Sequence, residues 1–350
     1  MILRNRLLSK AGCMHPQDRL PGGSSRLAAF LATTALLMIL LPVVSSSPAR
    51  ASFPGRNGEI TFAAYPCGFY VSDTCNDPIT MYSISPRGGA IVPIGRGSYP
   101  AWSADGAKVA FASCDPDCGI WIANADGSER TRIPRSASYG IPSWSPSGNK
   151  IVFSRCPSHK DCELFTVKTD GTGLLRLTNN RAEEIDPKWS PDGRRILFQG
   201  KWTWRQPRIF TLRRDGTHRR FLARGGNPDW HPSGRSILFS RKQQASDEDV
   251  EKCNLKRMKA DGSSVRLIAT VAATYDCEVA PVWSPNGRRI AFLSSLQSVN
   301  DLSAILRVMR PDGSDRRTLF KSSEYCPEQQ DCDPWPWLPP AWRALPPPAE

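Results

Sequence analysis

Trp189-Ser190-Pro191-Asp192-Gly193 is the stretch that decides the fold. The same phrase recurs as Trp102-Ser-Ala-Asp-Gly106, Trp144-Ser-Pro-Ser-Gly148, Trp230-His-Pro-Ser-Gly234 and Trp283-Ser-Pro-Asn-Gly287. Successive tryptophans are 42, 45, 41 and 53 residues apart. A period of that size is one supersecondary unit used repeatedly. A proline stands two residues before each tryptophan, from Pro100 to Pro281. Five residues after each glycine comes a phenylalanine: Phe111, Phe153, Phe198, Phe239 and Phe292. Two residues before each phenylalanine is Val109, Ile151, Ile196, Ile237 or Ile290, so the two side chains share one strand face. Proline presets one turn dihedral and glycine supplies the left-handed one. The phrase is therefore strand, tight turn, strand.

Downstream of each phrase is an Asp-Gly pair: Asp126-Gly127, Asp170-Gly171, Asp215-Gly216, Asp261-Gly262 and Asp312-Gly313. Apolar runs precede these pairs and basic strand-like runs follow, which is a hairpin signal. Each unit is thus four antiparallel strands. Such a meander buries both faces only by stacking around an axis. The ends supply the count. Arg56-Asn-Gly58 and Ile60-Thr-Phe62 are a turn and second strand without a first; Pro340-Ala-Trp342 is a first strand without a turn. The expectation is an all-β, six-bladed β-propeller over residues 52–342, closed by a C-terminal strand that joins the N-terminal blade and leaves no open sheet edge. Residues 343–350 are read as a proline-rich tail.

The Pro-x-Trp-Ser-Pro-Asp-Gly, Ile-x-Phe and Asp-Gly series resembles the repeats of TolB-type six-bladed β-propellers, over about residues 53–342. Related propellers occur in bacterial envelopes, as gating domains of peptidases and as polysaccharide-lyase scaffolds. The resemblance implies the fold and an envelope setting. The family's separate N-terminal α/β domain and a hydrolase domain are both expected to be missing here. The resemblance alone assigns no chemistry.

Residues 27–44 are apolar and uncharged, preceded by Arg19 and Arg26 and followed by Ala49-Arg-Ala51. This reads as a signal peptide, residues 1–51, cleaved before Ser52; a retained membrane anchor is the alternative. Of eleven cysteines, Cys13 lies in the leader. The other ten cluster as Cys67 and Cys75, Cys114 and Cys118, Cys156 and Cys162, Cys253 and Cys277, Cys326 and Cys332. In an oxidising compartment these are expected to form five disulfides between sequence neighbours, although sequence leaves the connectivity open. A metal site is the weaker reading, since no histidine lies near Cys114 and Cys118.

The strand order puts both families of turns on one face of the disc and the variable loops, with every mature cysteine, on the other. Variable loops on a rigid scaffold carry function. Lys201-Trp202-Thr-Trp204-Arg205 lies there, with the residue types of binding hot spots; capping a blade interface is the alternative for at least one tryptophan. Ser246-Asp-Glu-Asp-Val-Glu251 is read as a solvated acidic loop, since the turn glycine of a calcium loop is absent; a calcium ion held by its carboxylates is the alternative. Trp335-Pro-Trp337 is expected to cover the closure seam, with docking of a partner the alternative. Three residues before the tryptophans stand Tyr99, Ile141, Asp186, Asn227, Ala280 and Pro339. Their dissimilarity excludes a symmetric ion site, and Tyr99, Asp186 and Asn227 are candidates for an asymmetric polar pocket.

The chain carries +13 and the leader +5 (six Lys or Arg, one Asp), so the mature protein is about +8. Outside the cytoplasm that charge draws anionic glycans or lipid headgroups. Nucleic acid has no motif here and the wrong compartment. No nucleophile elbow, zinc-protease helix or phosphate loop is present. The expected function is a monomeric, extracytoplasmic binding or scaffold module without cofactor or metal. Its partner would be a protein or an anionic cell-envelope polymer, and its contact surface the long-loop face. The alternative is a hydrolase or lyase acting on glycan or peptide at the channel mouth.

Overall fold

The computed structural model describes residues 55–64, 79–136, 140–158, 161–180, 182–201, 207–243, 252–269, 277–298, 301–321 and 339–346. The leader falls outside the described residues, and those described lie in one compact unit, Ser47–Glu350. They form an all-β propeller of four-stranded antiparallel blades, and among them no helix is long and apolar enough to cross a membrane.

The opening sheet holds β1 (Arg56–Ala64), β2 (Thr80–Ile84) and β3 (Val92–Arg96). The Trp102 blade is β4 (Ser98–Trp102), β5 (Lys108–Ser113), β6 (Gly119–Asn124) and β7 (Thr131–Arg132). The Trp144 blade is β8 (Pro142–Trp144), β9 (Lys150–Ser158), β10 (Asp161–Lys168) and β11 (Leu175–Arg176). The Trp189 blade is β12 (Glu183–Trp189), β13 (Arg195–Lys201), β14 (Arg208–Arg213) and β15 (Arg220–Arg224). An eight-stranded sheet follows. One half is β16 (Gly226–Trp230), β17 (Ser236–Gln243), β18 (Lys252–Lys259) and β19 (Arg266–Ala269). The other half is β20 (Cys277–Trp283), β21 (Ile290–Ser298), β22 (Asp301–Met309) and β23 (Arg317–Lys321). A single parallel pairing, Cys253 with Cys277, joins the two halves. The last strand, β24 (Ala341–Leu345), pairs with β1 and completes the opening sheet in the order β24-β1-β2-β3. It runs through Leu345, three residues into the stretch read from sequence as tail.

The first strands touch in a cycle: β4 with β8, β8 with β12, β12 with β16, β16 with β20, β20 with β24, and β24 with β4. Second strands are buried on both faces because each is covered by a blade on either side. Val109, Ala110 and Phe111 are buried together, as are Ile151, Val152 and Phe153. The tryptophans knit neighbouring blades: Trp144 Nε1 donates to the Ala101 carbonyl at 2.9 Å and Trp102 Nε1 to Thr61 Oγ1 at 3.1 Å.

Both turn types are held by their own side chains. In the Trp189 phrase, Ser190 Oγ donates to Asp192 Oδ1 at 2.6 Å and accepts the Arg195 amide at 2.9 Å. Each Asp-Gly aspartate accepts from the Ser or Thr two residues on; Ser128 donates to Asp126 through its amide (2.9 Å) and hydroxyl (2.6 Å). The glycine of that turn packs on the outer strand of the preceding blade: a Cβ on Gly127 would fall on the Ile94 carbonyl oxygen.

Candidate functional site

On the long-loop side, Cys114–Cys118 and Cys156–Cys162 are disulfides that close the connections β5–β6 and β9–β10. Cys253–Cys277 is of another kind. It ties the third strand of one blade half to the first strand of the next, at their single parallel pairing. Cys67, Cys75, Cys326 and Cys332 lie outside the described residues, as do Trp202, Trp204 and Arg205, the loop Ser246–Glu251, and Trp335 with Trp337.

Beneath this side lies a set of buried acid–arginine pairs. Glu184, five residues before Trp189, is fully buried and pairs with Arg219 at 3.1 Å. Glu278, five residues before Trp283, is fully buried and pairs with Arg316 at 2.7 Å. Each arginine follows an Asp-Gly turn by four residues of chain and lies over a second-strand phenylalanine, Arg219 over Phe198 and Arg316 over Phe292. In the Trp102 blade the carboxylate is replaced by Gly97; Arg130 still covers Phe111 and donates to the Arg96 carbonyl at 2.6 Å. The Glu184 pair belongs to a wider network. Asn180 Nδ2 donates to Glu184 at 3.0 Å, while the Asn180 amide and Arg176 hold buried Glu163. Burial pushes the Glu184 carboxyl up, against bonds from Thr178 and Asn180 and the charge of Arg219.

The axis holds a second polar cluster. A narrow cavity of about 90 Å³ is lined by the residue immediately before each tryptophan: Ala101, Ser143, Lys188, Asp229, Val282 and Ala341. The residues three before each tryptophan do not line it. At four of the x-Pro steps the cause is a bulge. Tyr99, Asp186, Asn227 and Ala280 have φ between 47° and 54°, and the pairing register shifts there in all four blades. That extra residue breaks the alternation of a regular strand. Tyr99 packs into apolar clusters. The Asn227 amide donates to Gln199 Oε1 at 3.0 Å, and its Oδ1 accepts from Ser240 Oγ at 3.1 Å. Asp186 is buried and meets Lys188 Nζ at 3.2 Å. The three sequence candidates therefore do not share one pocket.

Asp229 and Lys188 are the axial groups that the sequence reading passed over. Asp229 Oδ2 accepts the Trp283 amide at 2.8 Å. Burial pushes its carboxyl up to about 7, opposed by Lys188 and the Trp283 amide and reinforced by the Asp186 charge. The signal was one residue away in the repeat, at the position just before tryptophan. His231 takes the serine slot of its turn, with Nδ1 2.8 Å from Ser233 Oγ and its ring edge-on to Trp283 at 4.6 Å, which is a packing role.

Residues 96–328 match the TolB beta propeller domain. The chain belongs to that family. Three solved structures illustrate the shared fold. TolB from Acinetobacter baumannii is 19% identical, with a TM-score of 0.60, over 84% of this chain and 68% of that one. A chain provisionally assigned as TolB, from Agrobacterium tumefaciens, is 22% identical with a TM-score of 0.54, over 66% and 84%. A chain of a nidogen/laminin complex is 15% identical with a TM-score of 0.57, over 83% and 100%. No curated protein matches the chain by sequence. At these identities the likeness is one of fold, and this family member's role rests on its own surfaces.

Proposed function

We propose that this chain is an extracytoplasmic, six-bladed, monomeric propeller that serves as a binding or scaffold module. Its contact surface is the long-loop face, and its partner is a protein or an anionic cell-envelope polymer. The observation that carries this reading is the distribution of the disulfides: two close loops on that side and the third welds neighbouring blades there. Disulfides persist in oxidising compartments, which agrees with the leader read in residues 1–51. The cycle of first strands supports six blades, with the eight-stranded sheet counted as two. A hydrolase or lyase at the axis is the weaker reading, because about 90 Å³ admits water and not a sugar or peptide unit.

The test is retention of an envelope component from a detergent-solubilised envelope fraction by the immobilised protein. Retention should be lost with Trp202→Ala/Trp204→Ala while the melting temperature stays within a degree or so of wild type. Equal retention by the variant would move the contact off this face.

A further inference from the structure

A cavity of about 800 Å³ opens on the opposite face. Its walls are the tight turns after Trp144, Trp189 and Trp230, three successive repeats. It is within the size range of small-ligand sites; Trp189 is the one aromatic side chain in its walls, and no Leu, Ile, Val, Phe or Met faces it. Serine hydroxyls, turn prolines and an asparagine do instead, with three cations, Lys150, Arg195 and Arg214. Lys150 and Arg195 occupy the same place in adjacent blades, two residues after the turn glycine, so the blade repeat spaces them. The one carboxylate in the walls, Asp192, is engaged by the Ser190 hydroxyl at 2.6 Å and the Arg194 amide at 3.1 Å. No carboxylate among the described residues lies within ion-pair distance of the three cations.

We infer that this cleft binds an anionic polysaccharide, its acid groups set against Lys150, Arg195 and Arg214 and its sugar hydroxyls against the serines of the turns. Three cations facing one internally bonded carboxylate call for a ligand with more than one negative charge, and cations related by the repeat suit charges spaced along a polymer. An acidic peptide fits less well. Peptide and protein contacts are anchored by several apolar or aromatic side chains in desolvated pockets, and these walls offer a single aromatic ring, that of the buried Trp189. The inference rests on the proposed binding role, but it places this ligand on the turn face, away from the disulfides. The molecule then has two contact surfaces on opposite sides of one rigid body.

The experiment is titration calorimetry on the full protein with its disulfides intact. The probes are a mannuronate hexasaccharide and a phosphodiester-linked mannose hexasaccharide, which carry carboxylate and phosphate respectively, with maltohexaose as neutral and hexaglutamate as peptide control. At low ionic strength one or both anionic glycans should bind and maltohexaose should not. Affinity should fall about tenfold or more with Lys150→Gln/Arg214→Gln, the effect of losing charge-assisted contacts, and the salt dependence should flatten. Both residues are exposed, so the fold should survive; Lys150→Gln alone is the fallback, with a smaller loss. Trp202→Ala/Trp204→Ala should leave this binding unchanged. The inference is overturned if neither anionic glycan binds, if hexaglutamate binds as tightly, or if the cleft variants bind like wild type. Loss that follows the tryptophan variant instead would sink the cleft and leave the loop-face reading standing.

Discussion

Closure of the ring at β24 can be tested with two alanines at equivalent places. Gly106 and Gly148 end the same turn in adjacent blades, with φ of 67° and 71°. Alanine at either pays for a left-handed backbone, about 1 kcal/mol. Their surroundings differ. A Cβ on Gly148 meets nothing within 4 Å, whereas a Cβ on Gly106 falls on the Ala344 carbonyl oxygen of the closing strand. That strand has little room to retreat. Arg343 Nε donates to the Gly106 carbonyl at 2.8 Å and its Nη1 meets Glu59 at 3.2 Å. Buried Trp342 donates to the Gly58 carbonyl at 3.1 Å. Forcing a methyl into such a contact costs about 1–3 kcal/mol more. Gly148→Ala should therefore cost about 1 kcal/mol and Gly106→Ala about 2–4 kcal/mol. At about 2 °C per kcal/mol for a domain of this size, the Tm losses are about 2 °C and about 4–8 °C. Scanning calorimetry at pH 7 with a urea titration measures both. Equal losses would mean that β24 does not sit against the Trp102 blade and that the ring is not sealed as described.

Three further outcomes follow from the buried charges and the disulfides. A folded-state carboxyl held near 7 keeps its proton between about pH 4 and 7 while the unfolded chain has lost it, so Asp229 lowers stability as pH rises through that window, by up to about 4 kcal/mol. Asp229→Asn should then raise Tm at pH 8.5 and change it little at pH 4; equal destabilisation at both values refutes the assignment. Arg219→Ala strands fully buried Glu184 and should cost about 3–5 kcal/mol by urea unfolding, part of it recovered in Arg219→Ala/Glu184→Gln. Cys253→Ser opens a 24-residue separation and should cost about 3 kcal/mol, against about 2 kcal/mol for Cys114→Ser across a separation of four; the reverse order would deny the inter-blade tie its role.

The strands and turns were legible because each is written several times, and a repeated local pattern averages out the noise of any one segment; the seam was legible because residues 56–62 and 340–342 are complementary fragments of that pattern. The channel lining was not, for a definite reason. Positions one and three before tryptophan share a face only in an unbroken pleat, and the x-Pro bulge at Tyr99, Asp186, Asn227 and Ala280 takes the earlier position off the axis. The residue just before tryptophan points to the axis, where Lys188 and Asp229 lie. The buried Glu184 and Glu278 escaped notice because Gly97 and Gly225 fill the same place in other blades, so no common letter marks it. The partnership becomes visible only with Arg219 and Arg316 brought back by the hairpins.

Those departures share a logic that bears on function. Where the repeat is kept, side chains are spent on packing: tryptophan on the neighbouring blade, phenylalanine within the sandwich, aspartate on its own turn. Where it is broken, charge collects. Lys188 and Asp229 break the ring of small and apolar residues at the axis, and Glu163 and Glu184 meet at the junction of the Trp144 and Trp189 blades. The turn-face cleft, whose Lys150 and Arg195 are instead spaced by the repeat, spans the Trp144, Trp189 and Trp230 blades. All three features fall on one sector of the ring, while the seam lies in another.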